Sequence, residues 1–265
     1  MEERSKFICK GCLKEPTDRI NVSRFISRLD DCFRTNDLAE ANNIINYWEE
    51  EARNCNDLTG LLSVLNEKVG FSRRTNDENS ALLACTEILE LLDEMGLYDN
   101  MSGATMLINI ATTLKAFKKE NEALPLYDKA SKILISINKK NTFEYASLLN
   151  NKASALCDLK QYDEAEYCYN CAIEILKLIG NHDGEIALSL IGIAHLIFDR
   201  DDKAYQKVEE TLDLAWEYLN SENQPKDSNY AFILSKCAPS LRYFRREIEA
   251  NALEEIANEI YQGKY

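Results

Sequence analysis

Apolar side chains recur every three or four positions along most of the chain, and no run alternates apolar and polar residues for long. In residues 145–180, two such amphipathic stretches are separated by Lys160 and Gln161. Similar polar breaks rich in Gly, Asn and Asp occur at 98–102, 138–142, 180–184 and 221–228. Loops must be short, because the chain has only 9 Gly and 4 Pro. The pattern predicts an all-α protein made of helical hairpins.

The hairpins form an internal repeat. Residues 107–130 align with residues 149–172 without a gap, at a shift of 42 residues. The register extends in both directions through small or apolar residues and gives six repeats, with one extra residue in the Asp199–Asp202 turn. The positions that carry it are Ala41, Ala81, Ala111, Leu114, Ala123, Tyr127, Ala130, Ala153, Leu156, Ala165, Tyr169, Ala172, Val208 and Ala250.

This pattern resembles the tetratricopeptide repeat (TPR) family. The fourth repeat matches best, through Leu149, Ala153, Leu156, the Tyr162–Ala165 run and Tyr169, whereas Lys152 occupies a place that is usually apolar. The family period is 34 residues, so a period of 42 resembles the kinesin-light-chain type of repeat. The resemblance implies a bacterial stand-alone TPR protein that folds as a right-handed α-solenoid of about six hairpins.

Two segments are predicted. Residues 1–20 form an N-terminal segment with a Cys-x-x-Cys pair, and residues 21–263 form the helical repeat domain. A single hairpin cannot bury both of its faces, so neighbouring hairpins must stack to form a continuous core.

Charge and composition exclude several classes of function. A net charge of −14 argues against nucleic-acid binding, which needs a clustered cationic surface. The longest apolar stretch, 187–198, is too short to span a bilayer, and no apolar run follows Met1 as in a secretory signal. Nine cysteines without such a signal favour free thiols in the cytoplasm. The oligomeric state is left open.

Candidate chemistry is sparse. Cys9–Cys12 and Cys168–Cys171 have the Cys-x-x-Cys spacing, but a structural zinc site needs four converging ligands, and neither pair has an evident second half. We therefore expect no metal and no cofactor. His195, in an apolar helix, is most simply a structural histidine. No phosphate loop or nucleophile motif appears, so we expect a non-enzymatic protein.

The resemblance also suggests a binding surface. In the family, the first helices of the hairpins line a concave groove that binds extended peptides or partner helices. Asparagine is a weak helix former, yet it recurs on the inferred groove face beside cations. An amide carries both a donor and an acceptor, which suits a peptide bond. The predicted ligand-binding residues are Asn66, Arg73, Arg74, Asn109, Lys115, Asn150 and Asn151.

These observations favour a scaffold that presents the groove to a protein or peptide segment with an acidic group. The alternative is a regulator that senses a small signalling peptide and acts through a partner protein. An enzyme that uses a cysteine or His195 ranks lowest.

Overall fold

A computed structural model describes residues 16–221 and 225–264, and all regular secondary structure in these ranges is helical. Capping residues define many of the helix ends; for example, Asp37, Asp57 and Asp77 each accept a hydrogen bond from a backbone N–H of the helix that follows. The described residues form twelve helices: α1 (Val22–Thr35), α2 (Leu38–Asn54), α3 (Leu58–Arg74), α4 (Glu78–Met95), α5 (Met101–Ala116), α6 (Glu120–Ser136), α7 (Phe143–Asp158), α8 (Tyr162–Ile179), α9 (Asp183–Arg200), α10 (Tyr205–Leu219), α11 (Ser228–Tyr243) and α12 (Glu247–Tyr261).

The predicted all-α repeat fold is confirmed, with two helices for each of the six repeats. Every residue that carried the repeat register is buried. Small residues such as Ala111 and Ala153 are fully inaccessible, which lets paired helices approach closely, and each buried Leu or Tyr at the seam contributes about 1.5–3 kcal/mol. Lys152, the departure from the apolar pattern, donates a hydrogen bond to Glu164 at 2.8 Å across the fourth hairpin.

Five of the six hairpins turn in the same way. A left-handed residue follows the first helix, and the next residue donates its backbone N–H to a carbonyl five positions earlier, which completes a Schellman cap. In the fourth hairpin, Lys160 has φ +59° and Gln161 N donates to Leu156 O at 2.9 Å. The left-handed residues of the other four turns are Asn36, Asn76, Lys118 and Arg245.

The fifth hairpin departs from this rule at the place where the sequence has its extra residue. The chain leaves α9 in an extended conformation at Asp201 (φ −149°), and Ala204 N donates to Asp201 O at 3.0 Å. No residue between α9 and α10 has a positive φ. Pro239 lies inside α11, which continues through it.

The chain divides into two compact units, Met1–Ile133 and Leu134–Tyr265. In the first unit α3 packs against α1, α2, α4 and α5, and in the second unit α9 packs against α7, α8, α10 and α11. First helices of consecutive repeats therefore touch one another within each unit. Thr17 and Ile20, which the sequence assigned to the N-terminal segment, donate backbone hydrogen bonds to Cys55 O and Asp57 Oδ2 beside the α2–α3 turn.

Candidate functional site

In the first unit, α3 and α5 line a small cavity of about 210 Å³, which we call the Asn66 pocket. Three of the predicted ligand-binding residues lie in its lining. Because α3 and α5 are the first helices of consecutive repeats, the lining agrees with the register inferred from the sequence. The residues are Asn66, Glu67, Val69, Gly70, Arg73 and Asn109.

The two amides of the Asn66 pocket bond to each other. Asn109 Nδ2 donates to Asn66 Oδ1 at 2.7 Å, and Asn66 Nδ2 donates to Glu67 Oε1 at 3.2 Å. Burial raises the pKa of Glu67; the Asn66 hydrogen bond opposes this rise, and the charge of Asp30 adds to it. The amides thus form a short chain between repeats, and the exposed Arg73 supplies a cation at its edge.

The other two predicted cations do not line this pocket. Arg74 Nη2 donates to Asn36 Oδ1 at 3.1 Å, and its guanidinium lies 5.1 Å from the centre of the Phe33 ring, beside the α1–α2 turn. Lys115 is half-buried near the end of α5. Arg73 is therefore the one predicted cation that the structure places with Asn66 and Asn109.

The second unit holds a cavity of similar volume, about 210 Å³, which we call the Asn150 pocket. The predicted residues Asn150 and Asn151 both line it, together with residues from the three first helices α7, α9 and α11. The full lining is Phe143, Ala146, Ser147, Asn150, Asn151, Leu176, Glu185, Leu188, Ser189, Asn229, Phe232 and Ile233.

The side chain of Asn150 has an unpaired acceptor atom. Its Oδ1 atom is buried and has no hydrogen-bond partner among the residues that the structure describes. A buried acceptor without a donor costs about 1–3 kcal/mol. Amides in this position were predicted to contact a partner, and this one retains hydrogen-bonding capacity that the described part of the fold does not use.

One wall of the Asn150 pocket is acidic. Glu185 Oε1 accepts a hydrogen bond from Asn229 Nδ2 at 3.2 Å, and Glu185 Oε2 lies 3.5 Å from His182 Nδ1. The His182 ring stacks on Phe143, with centroids 4.9 Å apart. The structure thus packs His182 against the pocket wall.

The sequence analysis missed Glu185, Asn229 and Phe232, although the repeat carries a signal for them. At the start of α7, α9 and α11, the lining residues follow the same i, i+3, i+4 pattern. The offset is 42 residues from α7 to α9 and 44 residues from α9 to α11, and the larger offset includes the extra residue of the fifth repeat. The three sets are Phe143, Ala146 and Ser147; Glu185, Leu188 and Ser189; and Asn229, Phe232 and Ile233.

The metal and catalytic candidates are placed apart. Cys168 is buried and Cys171 is half-buried on α8. Within residues 16–221 and 225–264, no three metal-ligating side chains converge; Cys9 and Cys12 lie outside these ranges. His195 packs against the rings of Phe244 and Tyr243, with centroids 4.7 and 5.2 Å apart.

Comparison with known proteins identifies the repeat. Residues 144–215, which span the fourth and most of the fifth hairpin, match the family model of the tetratricopeptide repeat. The chain is a TPR-like helical repeat protein. No match to a curated protein sequence was found. None of the described helices has an apolar stretch long enough to cross a bilayer.

Solved structures show the same fold at low sequence identity. BtubC from P. vanneervenii is 18% identical, with a TM-score of 0.66 over 74% of this chain and 79% of that chain. Kinesin light chain-like TPR repeats from Podosopora anserina are 14% identical, with a TM-score of 0.54 over 77% of this chain and 95% of theirs. A Rap protein complexed with Competence and Sporulation Factor is also 14% identical, with a TM-score of 0.54 over 91% of this chain and 75% of that chain.

Proposed function

We propose that this TPR-like protein is a non-enzymatic scaffold that binds an extended protein or peptide segment, and that the Asn150 pocket contacts the main chain of that segment. The tetratricopeptide match and the fold support a protein-binding scaffold. The observation that carries the finer proposal is the unpaired acceptor atom of Asn150 in a cavity lined by three consecutive first helices.

The chemistry of the pocket suits a peptide. Asn150 and Asn151 offer amide donors and acceptors to a peptide bond, and Phe232, 51% exposed, offers an apolar surface to a neighbouring side chain. Because Glu185 occupies the wall, a donor or cationic side chain of the segment fits that end of the pocket.

We infer that an acidic group of a bound partner would contact the Asn66 pocket. Arg73 has no ion pair among the described residues, and it lines the cavity next to amides that bond to each other. A carboxylate of a segment bound to the first unit would pair with Arg73, and the gain in binding free energy would fall as salt screens the charge.

The experiment is site-specific cross-linking followed by titration. A photo-reactive phenylalanine analogue at Phe232 captures the partner from native cells, and the same analogue at Leu83, which is 74% exposed on α4, is the control. A synthetic peptide covering the cross-linked segment is then titrated against the wild type, Asn150→Ala and Asn151→Ala.

We expect each alanine variant to weaken binding by about 1–3 kcal/mol, the cost of leaving a partner's peptide group unpaired. Arg73→Gln should weaken the binding of an acidic peptide and reduce its salt dependence. Unchanged affinity in all three variants would contradict the proposal.

A second candidate is a regulator that senses a small signalling peptide and acts through a partner protein. The observation that favours it is the structural likeness to a Rap protein solved with Competence and Sporulation Factor. Cross-linking at Phe232 distinguishes the two candidates, because a regulator would yield a free short peptide and a scaffold would yield a segment of a larger protein.

A further inference from the structure

A third cavity, of about 620 Å³, lies between the fifth and sixth hairpins of the second unit and shares no lining residue with the Asn150 pocket. It is formed at the helix ends, by the last part of α9, the start of α10 and the turn from α11 to α12. We call it the aromatic pocket, and its lining is Phe198, Tyr205, Val208, Glu209, Tyr243, Phe244 and Arg245.

The rings of this pocket are held by one another. Phe198 packs edge-to-face against Tyr243 and Phe244, with centroid distances of 5.9 and 5.8 Å. Tyr243 and Phe244 are themselves nearly perpendicular, 5.0 Å apart. Such edge-to-face pairs stabilise a defined arrangement. His195 contacts the rings of Tyr243 and Phe244, and burial lowers its pKa, with Asp199 in partial opposition, which favours the neutral imidazole.

Two tyrosines that line the pocket stay open to solvent. Tyr205 is 63% exposed and Tyr243 is 57% exposed, although both line the cavity. Tyrosine and arginine are enriched at the energetic centres of protein interfaces, and aromatic surface grouped around a cavity marks an interaction site more than scattered apolar residues do.

The charges of the pocket are not equally available. Glu209 Oε2 accepts hydrogen bonds from Arg246 Nη2 at 2.6 Å and from Arg246 Nε at 3.2 Å. Arg246 also contacts Asp213 at 2.6 Å, so it is committed to carboxylates of the protein itself. Arg245 is exposed and pairs with no carboxylate in the described part of the chain. The lining charge that remains available is therefore positive.

We propose that the aromatic pocket binds an aromatic side chain of a partner segment that carries a carboxylate beside that side chain. The ring enters among Phe198, Tyr243 and Phe244, and the carboxylate pairs with the guanidinium of Arg245. A cationic occupant held by the faces of the aromatic rings is the competing chemistry. Arg245 disfavours it, because a second cation would enter next to an unpaired one.

The test uses the full-length protein and three fluorescein-labelled peptides of seven residues. The first has a central phenylalanine flanked by aspartates, the second replaces the phenylalanine with serine, and the third replaces the aspartates with lysines. Fluorescence anisotropy measures the binding of each peptide to the wild type and to Tyr243→Ser, Tyr205→Ser and Arg245→Gln.

The chain offers a matched control for each change. Tyr261 on α12 is 56% exposed outside this pocket, so Tyr261→Ser controls for the loss of an exposed tyrosine. Lys160 is an exposed cation with φ +59° in the equivalent turn of the fourth hairpin, so Lys160→Gln controls for Arg245→Gln. Thermal melting checks that each variant is folded, and Tyr205→Ser provides the test if Tyr243→Ser disturbs the ring cluster.

Of the three peptides, we expect only the aspartate–phenylalanine peptide to show saturable binding. Tyr243→Ser or Tyr205→Ser should weaken it by about 30-fold, the scale of an interface hot spot. Arg245→Gln should weaken it by about threefold and reduce its salt dependence, and the two control variants should bind like the wild type. Preference for the lysine peptide, equal binding of the acidic and basic peptides, or no saturable binding at millimolar concentration would each overturn the proposal.

Discussion

The Asn66 pocket and the Asn150 pocket have similar volumes and asparagines in their walls, but they use their amides differently. In the Asn66 pocket, Asn109 donates to Asn66 and Asn66 donates to Glu67, so the amides hold neighbouring repeats together. In the Asn150 pocket, the buried Oδ1 of Asn150 has no hydrogen-bond partner among the described residues. One residue type at similar positions of the repeat thus joins neighbouring repeats in one unit and carries an unpaired buried acceptor in the other.

The largest expected contrast concerns two glycines near these pockets. A Cβ at Gly192 on α9 would lie 2.5 Å from the Tyr169 ring, whereas a Cβ at Gly70 on α3 would meet nothing within 4 Å. We expect Gly192→Ala to lower the free energy of unfolding by about 1–3 kcal/mol through overpacking. Gly70→Ala should raise it by about 1 kcal/mol, the difference in helix propensity. Urea denaturation measures both values, and stabilisation by Gly192→Ala would show that α8 and α9 are less closely packed than described.

The second expected contrast is between Asn66→Ala and Asn150→Ala, which should change the free energy of unfolding in opposite directions. Asn66→Ala leaves Asn109 Nδ2 without its acceptor, so we expect the free energy of unfolding to fall by about 1 kcal/mol. Asn150→Ala removes a buried unpaired acceptor and introduces a better helix former, so the free energy of unfolding should rise by about 1 kcal/mol.

Asn151→Ala is the control for this pair, because it changes the same residue type one position along α7 without removing a buried unpaired atom. Its effect should be limited to helix propensity, about 0.5 kcal/mol. If Asn66→Ala and Asn150→Ala shift the urea midpoint in the same direction, the two pockets do not differ in the way that their hydrogen bonds indicate.

The smallest expected effect is on the pH dependence of protein stability, through Glu67 in the Asn66 pocket. Burial raises the folded-state pKa of Glu67 above the unfolded value of about 4.3. Between these two values the folded protein binds more protons than the unfolded chain, so the contribution of Glu67 to stability falls as pH rises through that window. Glu67→Gln should remove this decline. Denaturation at several pH values from 4 upward tests it, and identical pH profiles for the wild type and Glu67→Gln would contradict it.

Much of the fold could be predicted from the sequence, because each repeat uses the same small and large residues at its seam. Ala111 and Ala153 mark one seam position and Tyr127 and Tyr169 another, and all four are buried. A position that must be small or buried for steric reasons recurs at the repeat period, and this periodic pattern can be recognised in a single sequence. The six hairpins and most of their turns can be predicted from that periodic pattern.

The site could be predicted only in part, because hydrogen-bond partners do not recur at the repeat period and therefore give no pattern in the sequence. The register placed Asn66, Asn109 and Asn150 on first helices, but it could not show that Asn109 reaches Asn66 and that the Oδ1 atom of Asn150 has no described partner. It also grouped Arg74 with Arg73, although adjacent positions on a helix face different directions. The aromatic pocket was missed because its walls come from helix ends, where repeats five and six diverge in sequence.

The fifth hairpin turn marks where this array can accept foreign sequence. The other hairpins hold their turns with a left-handed residue and a fixed pair of backbone hydrogen bonds, so an insertion at Lys160 would remove both bonds of that cap. Asp202 lies exposed between α9 and α10 in a turn that has already absorbed an extra residue without such a cap. Exposed turns of this kind tolerate insertions best. A reporter domain or an affinity tag introduced after Asp202 would therefore leave α9 and α10 paired, which makes this turn an attachment point that requires neither chain terminus.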